Sequence, residues 1–194
     1  MERIMGVLTL KAPVYKEIAE DKSATTMAAI IVVITTLVSG FFKGLVHVNE
    51  TTGAASVSIG GAVLGAILTL IFGLIGWVIA AWVLQLVAGW FGGKTDTGEM
   101  MRVTGHVEVF SLIAVLNVLT LGGTALACVT GLVGLIVGIL KLVGYVIGVR
   151  EAAEFTTGKA VVTALIAAII NFLIVAIPVG ALMATLAVAM AIGG

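Results

Sequence analysis

The chain is 194 residues long, 61% hydrophobic and 10% charged, and its ten basic and ten acidic residues cancel. Soluble domains average about 45–50% apolar and about 25% charged residues, so a soluble fold is excluded, as are a disordered segment and a nucleic-acid binder of the basic-patch kind. One cysteine, Cys128, excludes an intrachain disulfide framework and a zinc site built on several thiolates.

What remains is an all-α polytopic membrane protein. The charges cluster and leave residues 23–42, 51–93, 109–140, 142–149 and 160–194 bare. About 20 apolar residues cross a hydrocarbon core about 30 Å thick, and backbone groups in lipid must pair within the segment, so such runs are read as helices. Residues 1–23 are polar, contain Pro13 and lack the apolar core of a cleavable signal peptide. Within them Val14, Ile18 and Ala19 recur at helical spacing among Lys16, Glu17, Glu20 and Asp21, which predicts a short helix lying at the membrane interface.

Five spans are predicted in a membrane domain covering 24–194: about 24–42, 59–91, 103–121, 125–149 and 160–190. Gly122-Gly123-Thr124 is read as the tight turn between the third and fourth. The second span is too long: Ile59–Trp90 as a straight helix measures about 48 Å, so it must tilt, project or kink near Gly73 and Gly76. Trp90 with Phe91 suits an aromatic belt, whereas Trp77, 13 residues deeper, is expected to face another helix. The fifth span is also over-long and holds Pro178, where a kink or a helix end is expected. Arg3, Lys11, Lys16, Lys22, Lys94, Arg102, Arg150 and Lys159 fall on one face of this topology and Lys43 on the other, which predicts a cytoplasmic N-terminus and an outer C-terminus.

Twenty-five glycines include four small-xxx-small pairs: Gly61 with Gly65, Gly89 with Gly93, Gly134 with Gly138, and Gly144 with Gly148. Such pairs let helix backbones approach closely in lipid, within the bundle or, at Gly134/Gly138, against a partner subunit. Polar residues inside the spans are few: Gln85, Asn117, Asn171, Lys141 and Glu108. Lys141 lies nine residues before Arg150, and Glu108 six residues after Arg102 on the antiparallel neighbour, so the two reach similar depth and can neutralise one another. Alternatively Lys141 snorkels to the headgroups and Glu108 is interfacial. A proton relay would need further buried acids.

No HExxH, GxxxxGK[ST], CxxC or GxSxG pattern occurs, so no catalytic or metal residues are assigned. His47 and His106 fall on opposite faces of the topology. No cofactor is expected, although either histidine could ligate a pigment or haem supplied by a larger complex. Asn49-Glu50-Thr51 forms a glycosylation sequon.

Several loop segments are more specific: Pro13 in the leader, Phe91-Gly92-Gly93 closing the second span, Arg102 with Gly105, Val149 to Ala152, and Thr157 to Ala160. Their order along nearly the whole chain resembles the prokaryotic branch of the Yip family, the Ypt/Rab-interacting membrane proteins. The resemblance implies a five-span membrane protein without a known catalytic residue set. Eukaryotic relatives bind prenylated Rab-type GTPases. Their D-L-Y-G-P segment is absent here, which argues against a Rab-type partner.

The reading is therefore a non-enzymatic protein of the cell membrane that organises membrane or docks on another membrane assembly as an accessory subunit. Arg102, Arg150, Glu151 and Lys159 would form a cytoplasmic patch for anionic lipid or a partner protein. Two alternatives stand beside it: a small-solute transporter or channel, which needs a polar path and a helix broken at Pro178, and a cofactor- or pigment-positioning subunit of a membrane complex.

Overall fold

The computed structural model describes residues 2–48, 55–122 and 124–192; the Asn49-Glu50-Thr51 sequon lies outside them. Seven α-helices follow in order: α1 Glu2–Leu8, α2 Ala12–Glu20, α3 Ala24–Leu45, α4 Ile59–Trp90, α5 Thr97–Val107, α6 Thr124–Ala152 and α7 Thr157–Ile192. A 3-10 helix, Glu108–Gly122, joins α5 to α6. Among the described residues, four helices are long and apolar enough to cross a membrane: α3, α4, α6 and α7. The chain is thus a polytopic all-helical membrane protein. It carries one small addition, an antiparallel hairpin of β1 Val46–Val48 and β2 Ala55–Val57, with Val46 opposite Val57.

The third predicted span differs. A single α-helix over 103–121 is expected, but α5 starts at Thr97 and gives way to 3-10 winding after Val107. Its early start has a local cause: Asp96 Oδ1 accepts from the Glu99 N–H at 2.7 Å, and Glu99 Oε2 accepts from the Asp96 N–H at 3.2 Å. This reciprocal capping satisfies two of the orphan donors at a helix start. A further departure is at Pro178. The helix runs unbroken through it, so the expected end is not found. Proline frees only the carbonyl four residues back, and membrane helices tolerate that when the group is satisfied again locally. The leader also differs, since it is two helices that pack on the bundle, with Val7, Tyr15, Ile18 and Ala19 buried.

Buried residues gather at the end where α3 begins and α4 and α6 finish, hereafter the leader end. Val83, Leu84, Val87 and Ala88 of α4, Met100, Val103 and Val107 of α5, and Val149 and Ala152 of α6 join the leader residues there. The opposite end, with the β-hairpin, is thinly covered: no residue of the most apolar 18-residue stretch of α6 is buried. At the leader end α4 stops at a glycine pair. Gly92 has φ +78°, and Gly93 N–H donates to the Ala88 carbonyl at 2.9 Å. A side chain at Gly92 would be strained in that left-handed conformation.

The four glycine pairs have different fates. Gly61 and Gly65 face Gly44 and Gly40 of α3: a Cβ on Gly44 would strike the Gly61 carbonyl, and one on Gly65 would lie 2.5 Å from the Gly40 carbonyl oxygen. The Gly40/Gly44 pair does not stand out by spacing, because Lys43 interrupts its apolar run. Further along, Gly73 meets Thr36, so α3 and α4 zip antiparallel over three turns. Gly144 and Gly148 are buried against Tyr15, Val103 and Val107. Gly93 sits under Phe155 and Ala153, whereas Gly89, Gly134 and Gly138 meet nothing within 4 Å.

Larger side chains therefore have opposite effects at the two kinds of glycine. Gly40→Leu or Gly61→Leu is expected to cost about 1–3 kcal/mol or more by overpacking against backbone that cannot yield. Gly134→Leu leaves the isolated chain unchanged. Thermal unfolding of each purified variant in detergent checks both.

Candidate functional site

Polar side chains converge at two places, one inside the bundle and one at the leader end. Inside, Lys141 Nζ on α6 donates to Glu108 Oε2 at 2.7 Å and to Ser111 Oγ at 2.7 Å. Ser111 Oγ donates to the same carboxylate oxygen at 2.8 Å, and Tyr145 OH, one turn beyond Lys141, donates to Glu108 Oε1 at 2.5 Å. Ser39 Oγ on α3 donates to the Ser111 carbonyl at 3.2 Å, so α3 joins the cluster through the backbone of Ser111. A cavity of about 210 Å³ adjoins it, lined by Thr36, Trp77, Thr104, Glu108 and Tyr145 among others. Trp77 does face another helix, donating from Nε1 to Thr104 Oγ1 at 3.1 Å.

This cluster is one anion and one cation that neutralise each other, and no metal-binding group of His, Cys, Asp or Glu occurs among the described residues. Breaking such a pair leaves a charge in a medium that solvates it poorly, whereas removing both charges does not. Lys141→Met alone is expected to destabilise by about 3 kcal/mol, and the Glu108→Gln/Lys141→Met double variant by clearly less. A double-mutant cycle on unfolding midpoints in detergent measures this.

At the leader end the structure separates the four residues read as a patch. Lys159 is exposed, with Nζ on the Phe91 carbonyl at 3.1 Å and 5.6 Å from the Phe155 ring centre. Arg150 pairs with its neighbour Glu151, Nη2 to Oε1 at 2.7 Å, and reaches Thr157 Oγ1 at 3.3 Å. Arg102 is not on this open surface. It is 5% exposed, and its Nε and Nη2 donate to the Ala19 carbonyl at 2.8 and 2.5 Å. The leader covers it because the last turn of α2 offers carbonyls without intrahelical donors, and a guanidinium suits that partly negative end.

Other sequence-singled residues lie apart. Gln85 Oε1 accepts from Thr97 Oγ1 at 2.9 Å and ties the start of α5 to α4. Asn171 donates to Ala167 O of its own helix at 2.9 Å. The side chains of His47, Asn117 and Pro178 lie outside the described residues. His106 is 1% exposed, with Nδ1 on the Arg102 carbonyl at 2.8 Å. Tyr15, absent from the predicted interfacial face, is fully buried and donates to the Val7 carbonyl at 3.1 Å. Its place one helical turn before Ile18 and Ala19 is the signal that could have found it.

The leader is clamped to itself. Arg3 Nη2 lies 2.8 Å from Glu17 Oε1 and 2.7 Å from Asp21 Oδ2, which draws α1 onto α2. The Ser23 hydroxyl, then Arg3, then the Ser23 N–H hold the Asp21 carboxyl down at about 2, below its ordinary 3.8. A group whose folded pKa is depressed stabilises above its unfolded pKa and loses that contribution as pH falls. The clamp is therefore complete above 3.8 and weakens as pH falls toward 2. Hydrogen exchange of leader amides should accelerate across that window, and Asp21→Asn should abolish the step.

Compared with known families, residues 5–192 match the model of the Yip1 domain. No curated protein and no solved structure matches the chain at the significance required. The match runs from the leader through all four apolar helices, so it covers the architecture just described. The chain belongs to the Yip1-domain family of membrane proteins.

Proposed function

We propose that this protein is a non-enzymatic accessory or membrane-organising subunit that works through helix contacts within the membrane. One observation carries the reading. On α6, Gly134 and Gly138 have no atom within 4 Å of an added Cβ, and Gly134 lines an unfilled groove of about 240 Å³ with Ser39, Ser111 and Thr130, while the Gly61/Gly65 and Gly144/Gly148 pairs are filled from within the chain. Lipid gives helices no hydrophobic drive to associate, so small residues that admit a close backbone are the feature that selects a protein neighbour. Leu135, exposed, borders the face of Gly134 and Gly138 with apolar surface.

The membrane course belongs to the same proposal. The 3-10 helix has 15 residues, and at about 2.0 Å each it reaches about 30 Å, the thickness of the hydrocarbon core. It packs along α3 and α6 and reaches the β-hairpin, which supports reading it as the fifth crossing. The leader end, which holds eight of the ten basic residues, then faces the cytoplasm and the C-terminus faces outward. Lys159, exposed there, and the Arg150–Glu151 pair present the face available to lipid or to a partner.

Gentle extraction from native membranes, followed by identification of co-purifying proteins, tests the role. A specific membrane protein is expected to co-purify with the native chain and to be lost with Gly138→Leu. A monomer that carries nothing contradicts the proposal. Reporter tags at the two ends test the orientation, which an outward-facing N-terminus would overturn.

A further inference from the structure

Two buried polar groups on one face of α5 are poorly satisfied. Arg102 forms no ion pair among the described residues, and its guanidinium has one neutral acceptor, the Ala19 carbonyl, for its Nε and Nη2. The two acids before it, Glu99 in α5 and Asp96 at the helix cap, are engaged by each other's backbone N–H. One turn on, His106 buries Nε2 with no hydrogen-bond partner. An unpaired buried cation and an orphaned ring nitrogen are both costly, and a native structure that keeps them calls for an explanation.

Both groups lie where α1 and α2 pack on α5. The leader holds this position by few polar bonds. Apart from the local turn into α3, the Arg102–Ala19 contact is its one side-chain tie to the rest of the chain among the described residues. The remainder is apolar seating, above all Tyr15 against Gly144 and Gly148. A cavity of about 680 Å³ separates the leader from the start of α3, lined by Arg3, Val14, Glu17, Ala24 and Met27 among others.

We propose that the leader is a displaceable cover over an anion site, and that Arg102, with His106 beside it, binds a phosphate group once the leader lifts. The Ala19 carbonyl then stands where a phosphate oxygen would. The Nε–Nη2 edge that now shares one carbonyl oxygen matches two oxygens of a phosphate, and such charge-assisted bonds are about twice as strong as neutral ones. The imidazole donates from Nδ1 to the Arg102 carbonyl, so its Nε2 takes up a proton as the phosphate arrives and then donates to it. The site lies at the end of the bundle that carries Trp90, 67% exposed, where lipid headgroups lie, so the occupant is the phosphate of an anionic lipid, which has no choline cation of its own to compete with Arg102. The inference does not depend on the accessory-subunit role.

The test uses the full chain in lipid nanodiscs, with Cys128→Ser and spin labels at Lys16→Cys and Thr156→Cys, both exposed positions. In phosphatidylcholine discs a single short distance is expected. Phosphatidylglycerol should add a longer one. Millimolar inorganic phosphate in phosphatidylcholine discs distinguishes the sources: opening there keeps the site and makes free phosphate its ligand. Binding of fluorescent phosphatidylglycerol is measured in parallel. Arg102→Gln should weaken it about tenfold or more, the loss of a charged hydrogen bond. Arg102→Lys, which keeps the charge without the two-pronged edge, should weaken it less. Tyr15→Ala, which loosens the cover and leaves the site intact, should strengthen it. Distances that ignore lipid charge and added phosphate, or binding that is indifferent to Arg102 and Tyr15, overturn the proposal.

Discussion

Close backbone approach is the constraint on which the rest of this bundle depends. In water, burying apolar area would hold these helices together; in lipid it would not, and contact must come from small residues and a few polar bonds. The α3–α4 zipper meets that demand with Gly40, Gly44, Gly61 and Gly65 laid backbone to backbone. At the leader end the same logic recurs, with Gly144 and Gly148 forming the notch that receives Tyr15. Where small residues meet a partner within the chain the bundle is closed, and along the outer half of α6 it is open.

The polar bonds supplement this packing at two depths. Glu108 gathers Lys141, Ser111 and Tyr145 where α5 passes into the 3-10 helix. That carboxylate sits at the change of winding, so it pins the segment whose backbone departs from the α-helix. Arg102 does a related job at the leader end, where it reaches across 83 residues of sequence to the last turn of α2. The two sites differ in balance: Glu108 is matched by a cation, whereas Arg102 is matched by a carbonyl alone. That difference separates a settled structural contact from one able to exchange partners.

The broad architecture was legible because charge is excluded from lipid, so the bare stretches between charge clusters mark α3, α4, α6 and α7 directly. The approach of Glu108 to Lys141 was legible from rise per residue, since both were measured against arginines at the same end. Other features were hidden for identifiable reasons. The D-T-G-E sequence at 96–99 caps a helix, but hydropathy does not register a cap. Gly40 and Gly44 flank a lysine and so read as the end of a span. Arg102 reads as an exposed charge because composition does not show that a leader folds over it. The 3-10 winding after Val107 has no signature in an apolar run that suits either helix.

The central claim is that the open glycine face of α6 meets a protein and the other apolar surfaces meet lipid. Site-specific photocrosslinking in native membranes, with the probe at Leu135 on α6 and at Ile71 on α4, tests it most directly. Both side chains are exposed. The account predicts a discrete protein adduct from Leu135, abolished by Gly138→Leu, and only lipid adducts from Ile71. Lipid adducts alone from both positions would contradict it.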